Sequence, residues 1–304
     1  MQLFVHDFKA MGSPCQIQVL VPSETFANCQ FRRLSEEVDR LEQKYSRFLP
    51  SSLLSKINQG AGSGTPTPID HETHGILHFA QQAFELSDGL FDITSGVLRQ
   101  VWDFKSAKSG KERVPSDEQL STVLPLIGWE KVQWDDDTIY LPTKGMEIDF
   151  GGIVKEYAVD CCVKLLADQH IKGLVNLGGD IGVSDCDPVD HVWDVGIRHP
   201  RKGHQDKIAH VPLTKGAIAA SGDYERFIEV DGVRYSHILS PKTGYPIQGL
   251  ATVSLWSEKC VIAGTLATIA MLKADEGLEW LEGLEQPFVA VDNELNVYKD
   301  LGES

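Results

Sequence analysis

Ile148-Asp149-Phe150-Gly151-Gly152-Ile153-Val154-Lys155-Glu156-Tyr157 runs from an apolar segment through a carboxylate and two glycines into a helical pattern that carries a lysine. The order predicts a strand ending at Asp149, a tight turn, a helix over residues 152–169 and a strand over 173–177. Glycines let backbone approach a ligand closely, and the unpaired N–H groups and positive dipole end of a starting helix attract an anion. Lys155 would add a full positive charge. An ordinary tight connection is the competing reading, because strand, glycine turn and helix recur in many α/β proteins.

Upstream, Cys15-Gln16-Ile17-Gln18-Val19-Leu20-Val21 alternates at period 2 and predicts a strand. Phe26, Phe31, Leu34, Val38 and Leu41 then mark a helix over 24–45, and a second is expected over 70–86, with Ser23 and Asp70 as N-caps. Residues 51–68, rich in Ser, Gly, Thr and Pro, read as loop with about one helical turn. The polar stretch 105–116 reads as an exposed excursion, and 131–134 with 138–141 as a hairpin turned by Asp135-Asp136-Asp137. Beyond the strand over 173–177, short strands dominate to residue 257. Helices over 261–273 and 276–284 and a β-pair at 288–291 and 295–298 end the pattern. Strands and helices mixed irregularly predict an α+β fold rather than a doubly wound parallel sheet.

The 304 residues suffice for one elaborate domain or two intimate halves, and no composition break marks a linker. With 42% hydrophobic and 24% charged residues the chain reads as an ordinary globular protein, and no apolar run reaches the roughly 18 residues that span a bilayer. The first nine residues have neither a basic nor an apolar leader region, so a cytoplasmic location is expected, and a periplasmic one only if a leader was removed. Six cysteines without a C-x-x-C pair argue against a zinc knuckle or a disulfide framework; buried thiols are expected, with Cys161 and Cys162 in mid-helix. The net charge of −16 argues against nucleic acid as a partner. An anionic ligand would have to be held by a few local cations.

Several blocks carry chemistry. Ser87-Asp88-Gly89-Leu90-Phe91-Asp92 offers carboxylates beside an aromatic, although its aspartates read equally as caps of the next helix. Asn176-Leu177-Gly178-Gly179-Asp180 is a second glycine turn ending in a carboxylate, and a tight turn without a ligand explains it as well. His237-Ile238-Leu239-Ser240-Pro241-Lys242-Thr243-Gly244 places a histidine near a lysine, a combination suited to phosphoryl chemistry but also to a structural histidine at a strand end. Neither G-x-G-x-x-G after an early strand nor G-x-x-x-x-G-K-[ST] is present, which argues against a Rossmann dehydrogenase and a P-loop enzyme.

Taken in order with Met11-Gly12-Ser13 and Ser221-Gly222-Asp223-Tyr224, these blocks closely resemble the FAD:protein FMN transferase (ApbE) family over nearly the whole chain. The resemblance implies a single ApbE-like domain over 1–304, of T-fold-like α+β architecture, with FAD in a cleft between two interlocked subdomains. It implies transfer of FMN from FAD to a Ser or Thr hydroxyl of a partner flavoprotein subunit, with release of AMP and dependence on Mg2+. By similarity, Met11, Phe48, Leu90, Phe91, Asp92, Asp149, Lys155 and Ile238 would line the FAD site. Lys155 and His237 would act on the phosphate and the incoming hydroxyl, while the Gly152 carbonyl and Thr268 would hold the metal.

Two positions depart from the pattern. The family's metal-binding aspartate is replaced by Gly264 and a frequent aspartate by Ser240, which leaves Thr265, Thr268, carbonyl oxygens and the FAD phosphates as oxygen donors. A weakly catalytic or non-catalytic FAD-binding relative, or an FAD pyrophosphatase, is therefore the alternative. For the rest of that helix, core packing of Ile262, Leu266, Ile269 and Ala270 is expected.

Overall fold

The computed structural model describes residues 1–104, 113–184, 191–201, 206–224 and 226–301. An eight-stranded antiparallel sheet runs in the order Gln2–Ala10, Ser13–Val21, Lys172–Leu177, Asp180–Val183, Gly216–Gly222, Leu250–Ser257, Phe288–Asp292, Val297–Asp300. The helices are α1 (Glu24–Tyr45), α2 (Leu53–Gln59), α3 (His71–Leu86), α4 (Asp117–Val123), α5 (Val154–Ala167), α6 (Cys260–Leu272) and α7 (Gly277–Glu282). Strands and helices in this mixture make an α+β fold, as the sequence predicts.

Strand periodicity sorts the core into layers. Val175, Ala217, Ala219 and Ala290 face the main cluster, in which α5 and α6 cover one side of the sheet. Their neighbours Leu174, Ile218 and Val289 face the other side, under the hairpin Trp193–Arg198 with Lys207–Leu213. A separate cluster of Val97, Leu98, Trp102, Leu120, Val123, Ile127 and Ile228 supports the hairpin Phe227–Val230 with Val233–Ser236. Trp102 Nε1 donates to the Gly244 carbonyl at 2.7 Å and so ties this cluster to the loop that follows His237.

The sequence expectations hold for α1 and α3, whose caps Ser23 and Asp70 accept from Phe26 and Thr73 N–H groups, and for the turn at Asp135. Residues 51–68 contain the seven-residue helix α2, capped by Ser52 and seated by buried Leu54 and Ile57, instead of a single turn. Gln2–Ala10 is an edge strand, and the final pair shifts to Phe288–Asp292 with Val297–Asp300. Ile262 is exposed at 38%, so it does not join the core with its helix neighbours. Cys161 and Cys162 lie within α5, Cys29 is exposed, and all five described cysteines are free thiols; Cys186 lies outside the described residues, as does most of the expected excursion at 105–116. No helix of the described residues is long and apolar enough to cross a membrane.

Candidate active site

Antiparallel pairing brings three turns to one end of the sheet. Met11-Gly12 closes the first hairpin with φ of +50° and +73°, and Gly178-Gly179 closes another with φ of +66° and +107°; Cys15 opposite Leu177 puts the two turns side by side. Both are two-residue loops that need positive φ, which glycine adopts freely and Met11 does not. Gly222 and Asp223 leave the sheet at the same end, opposite Thr252 and Ala251. Onto this end α5 projects its first turn.

The segment leading to that turn is not the strand that its apolar run predicts. Residues 146–150 have no strand partner; Asn58 clamps Ile148 instead, donating from Nδ2 to the carbonyl at 3.0 Å and accepting the N–H at 2.8 Å. Asp149 N–H donates to the Ile93 carbonyl at 2.8 Å, and its carboxylate pairs with Arg47 and accepts the Gly151 N–H at 3.0 Å. Gly96 makes room for it: a Cβ there would lie 2.6 Å from Asp149 Cβ. Gly151 is exposed and Gly152 half-buried, with the Phe91 ring 3.4 Å from where a Gly152 Cβ would stand. The helical ladder starts with Tyr157 N–H on the Ile153 carbonyl, so the Gly152 carbonyl stays outside it.

Lys155 Nζ lies 2.6 Å from Asp180 Oδ2, joining the start of α5 to the second glycine turn. Beside this pair stands Glu156, 8% exposed, whose carboxyl faces Asp180 and whose Oε2 has no donor. Burial first, and the Asp180 charge second, push this carboxyl up to about 8. Glu156 packs on α6 at Gly264, where a Cβ would come 2.7 Å from Glu156 Cγ and 3.3 Å from Oε1. Next to Gly264, Thr265 Oγ1 is buried without a partner, and Thr268, half-buried, follows one turn later on the Gly264 face.

His237 is half-buried, its ring Nδ1 3.1 Å from the Arg226 carbonyl. A carbonyl only accepts, so Nδ1 carries the proton and Nε2 keeps its lone pair. Burial, then the positive charges of Arg226 and Lys155, bring this imidazole down to about 4. Arg47 is likewise lowered to about 10, by burial and then by Arg99 and Arg226. Four cations and a neutral histidine thus share one region of an acidic chain.

The remaining expected site residues divide. Met11 and Gly12 line a cavity of about 400 Å³ with Ser13 and Glu42, which accepts the Met11 N–H at 2.8 Å. Phe48 is 57% exposed, with the Arg47 guanidinium 4.9 Å from its ring centroid. Leu90 is half-buried, while Phe91 and Ile238 are buried. Asp92 caps the 3-10 helix Ile93–Gln100: Oδ1 accepts from Thr94 N–H at 2.7 Å and Oγ1 at 2.6 Å, and Oδ2 accepts from Trp129 N–H at 3.1 Å. Its carboxylate is engaged by these three donors, and the neighbouring Phe91 ring lies beside Gly152. Arg47, Arg226, Glu156 and Asp180 were not among the expected site residues; the sequence signal for the last two was their place inside the glycine motifs.

The ApbE family model matches residues 11–291. The chain belongs to the ApbE family. This ApbE chain is 29% identical over 280 residues to the FAD:protein FMN transferase of Vibrio cholerae, covering 90% of itself and 83% of that protein. It is 31% identical over 279 residues to the FAD:protein FMN transferase of Treponema pallidum, covering 85% and 75%. The crystal structure of the ApbE protein from Thermotoga maritima superposes with a TM-score of 0.89 at 31% identity, over 98% of this chain and 97% of that one. Flavin transferase ApbE from Vibrio cholerae gives a TM-score of 0.84 at 25% identity, over 100% and 98%.

Ser240 and Gly264, the two positions that the sequence reading sets apart, each have a structural account. Ser240 Oγ accepts the N–H groups of Lys242 at 3.3 Å and Thr243 at 3.4 Å, a loop-capping task that serine shares with aspartate. At Gly264 the space beyond the backbone is filled by Glu156. Among the described residues no group of three or more His, Cys, Asp or Glu side chains surrounds a common point. A cation held here would take one or two carboxylates, hydroxyls and a carbonyl, and the orphaned Glu156 Oε2 and Thr265 Oγ1 fit a hard, oxygen-seeking ion.

Proposed function

We propose that this chain is an FAD:protein FMN transferase acting as one domain over residues 1–304, with FAD in the cleft between the glycine turns and the His237 loop. The observation that carries the reading is the nearness of Arg47 to Arg99 and Arg226, and of His237 to Arg226 and Lys155, in a chain whose net charge is −16, with Asp149, Glu147 and Asp180 as the carboxylates that pair Arg47, Arg99 and Lys155. Such a cleft favours a diphosphate over the acidic remainder of the surface. Phe48 and Met11 supply apolar faces for the flat rings.

In this reading the acceptor's Ser or Thr oxygen bonds to the flavin-side phosphorus while that phosphorus separates from the bridging oxygen, which leaves on AMP. His237 Nε2 takes the hydroxyl proton; its lowered basicity keeps the lone pair available at neutral pH. Lys155 and the arginines hold the charge that grows on the phosphoryl oxygens. Mg2+, held by Thr268 and the Gly152 carbonyl with a carboxylate, would neutralise further charge on the diphosphate.

The test is incubation with FAD, Mg2+ and a flavoprotein subunit bearing a target Ser or Thr. Covalent yellow fluorescence on the acceptor with stoichiometric AMP is the expected result. AMP and free FMN without labelling would identify a pyrophosphatase instead, and neither product across divalent metals would reject catalysis.

A further inference from the structure

Gly264 and Glu156 are matched in shape. A side chain at 264 has no room, because its Cβ would meet Glu156 Cγ at 2.7 Å, and Glu156 occupies that space from another helix. Glu156 is less than a tenth exposed, its Oε2 has no donor and its carboxyl faces Asp180, an arrangement that holds the acid in its neutral form until a cation joins it. Lys155 supplies one cation, on Asp180 Oδ2. Thr265, beside Gly264 in the same helix, adds a second buried oxygen without a partner. Cβ atoms tilt toward a helix N-terminus, so the Thr268 side chain leans back toward the spot that Glu156 covers. Across from it, the Gly152 carbonyl is outside the α5 ladder.

We infer that Glu156 is the carboxylate ligand of a divalent cation in this chain, reaching from α5 into the place that a side chain at 264 would occupy. The inference rests on the flavin-transfer reading for what the cation serves, but its own content is the identity of the ligand. It also reverses the simplest repair of position 264. Gly264→Asp alone puts a second carboxylate onto Glu156 and costs stability, whereas Glu156→Ala with Gly264→Asp moves the carboxylate back to α6 without the collision.

The experiment measures Mn2+ binding to the full chain, with and without FAD, from the free-ion electron paramagnetic resonance signal. Circular dichroism of each variant reports folding, and flavin labelling of an acceptor is a separate readout. Wild type is expected to bind Mn2+, Glu156→Gln to bind at least ~10–100-fold more weakly, the typical loss when a metal site is disturbed, and the double variant to recover most of that loss. Undiminished binding by a folded Glu156→Gln, or no Mn2+ binding by wild type with FAD present, would overturn the assignment. A folded double variant that fails to recover binding would also count against it. An acceptor that wild type never labels, with Mn2+ binding still lost in Glu156→Gln, would sink the transferase reading and leave Glu156 as the ligand.

Discussion

Glu72 and Glu156 are the same residue type at the same kind of position, the first turn of a helix, and their environments are opposite. Glu72, on α3, receives Arg40 at 2.6 and 2.9 Å, Lys44 at 2.7 Å, and the hydroxyls of Tyr45 at 3.4 Å and Tyr157 at 3.3 Å. Its carboxyl is brought down to about 2, mainly by the Arg40 hydrogen bonds. Glu156, on α5, meets Asp180 and no donor at Oε2, and its carboxyl is pushed up to about 8, mainly by burial. The helix dipole favours a carboxylate at either place equally, so partners make the difference. A saturated cluster binds α1, α3 and α5 together, whereas the one at Glu156 leaves an oxygen without a donor.

The largest expected effect breaks the unsaturated cluster. Lys155→Met removes the cation on Asp180 and leaves two buried carboxyls without one. Severing a buried pair costs roughly 3–5 kcal/mol, and partial exposure of the lysine brings the expectation to about 2–3 kcal/mol, read from urea midpoints. Labelling of the acceptor should fall at least ~100-fold, the scale of losing one transition-state charge partner. A variant of unchanged stability that still labels would show that Lys155 is decoration at this site.

A smaller effect is expected at the saturated cluster. Glu72→Gln keeps the shape but loses the charge that Arg40 and Lys44 share. Hydrogen bonds to a charged group are worth roughly 1.5–3 kcal/mol; with those partners partly open to water the cost is about 1–2 kcal/mol, and Mn2+ binding stays unchanged. The folded carboxyl titrates near 2 against an ordinary 4.5, so its contribution is complete above about 4.5 and disappears as pH falls toward 2. Arg40, Lys44, Glu37, Tyr45 and Tyr157 surround this group, and none of the cations titrates in that window. The stability gap between wild type and Glu72→Gln should therefore close in acid; a gap that persists at pH 2 would mean that Glu72 acts through packing rather than charge.

Legibility in the sequence follows the same division. Helices α1 and α3 show themselves through amphipathic spacing and capping residues, and α5 and α6 through apolar runs of helical length. Helix α2 is concealed by the Ser, Gly, Thr and Pro around it, and residues 146–150 read as a strand because an apolar run does not reveal that Asn58 replaces a neighbouring strand. At the site, the glycine motifs, Lys155 and His237 stand in short blocks. Glu156 stands in one too, but its meaning depends on Gly264 in a distant helix, and only the fold brings the two together. Arg47 lies outside any motif and Arg226 at the end of the block that starts at Ala220, and their effect is a sum of charges over space.

The smallest expected effect sharpens the comparison most. Without metal, the raised carboxyl of Glu156 keeps its proton at neutral pH, and glutamine has nearly the shape and hydrogen-bonding capacity of that protonated acid. Glu156→Gln in chelator-treated protein should therefore be nearly neutral, because shape and a donor toward Asp180 are both kept. Glu72→Gln, the same change one helix away, should not. Adding Mn2+ then separates wild type from Glu156→Gln by raising only the wild-type Tm, since an ion stabilises the state that binds it. Equal losses at the two glutamates in chelator would mean that Glu156 already has a structural partner, and the contrast between the clusters would be gone.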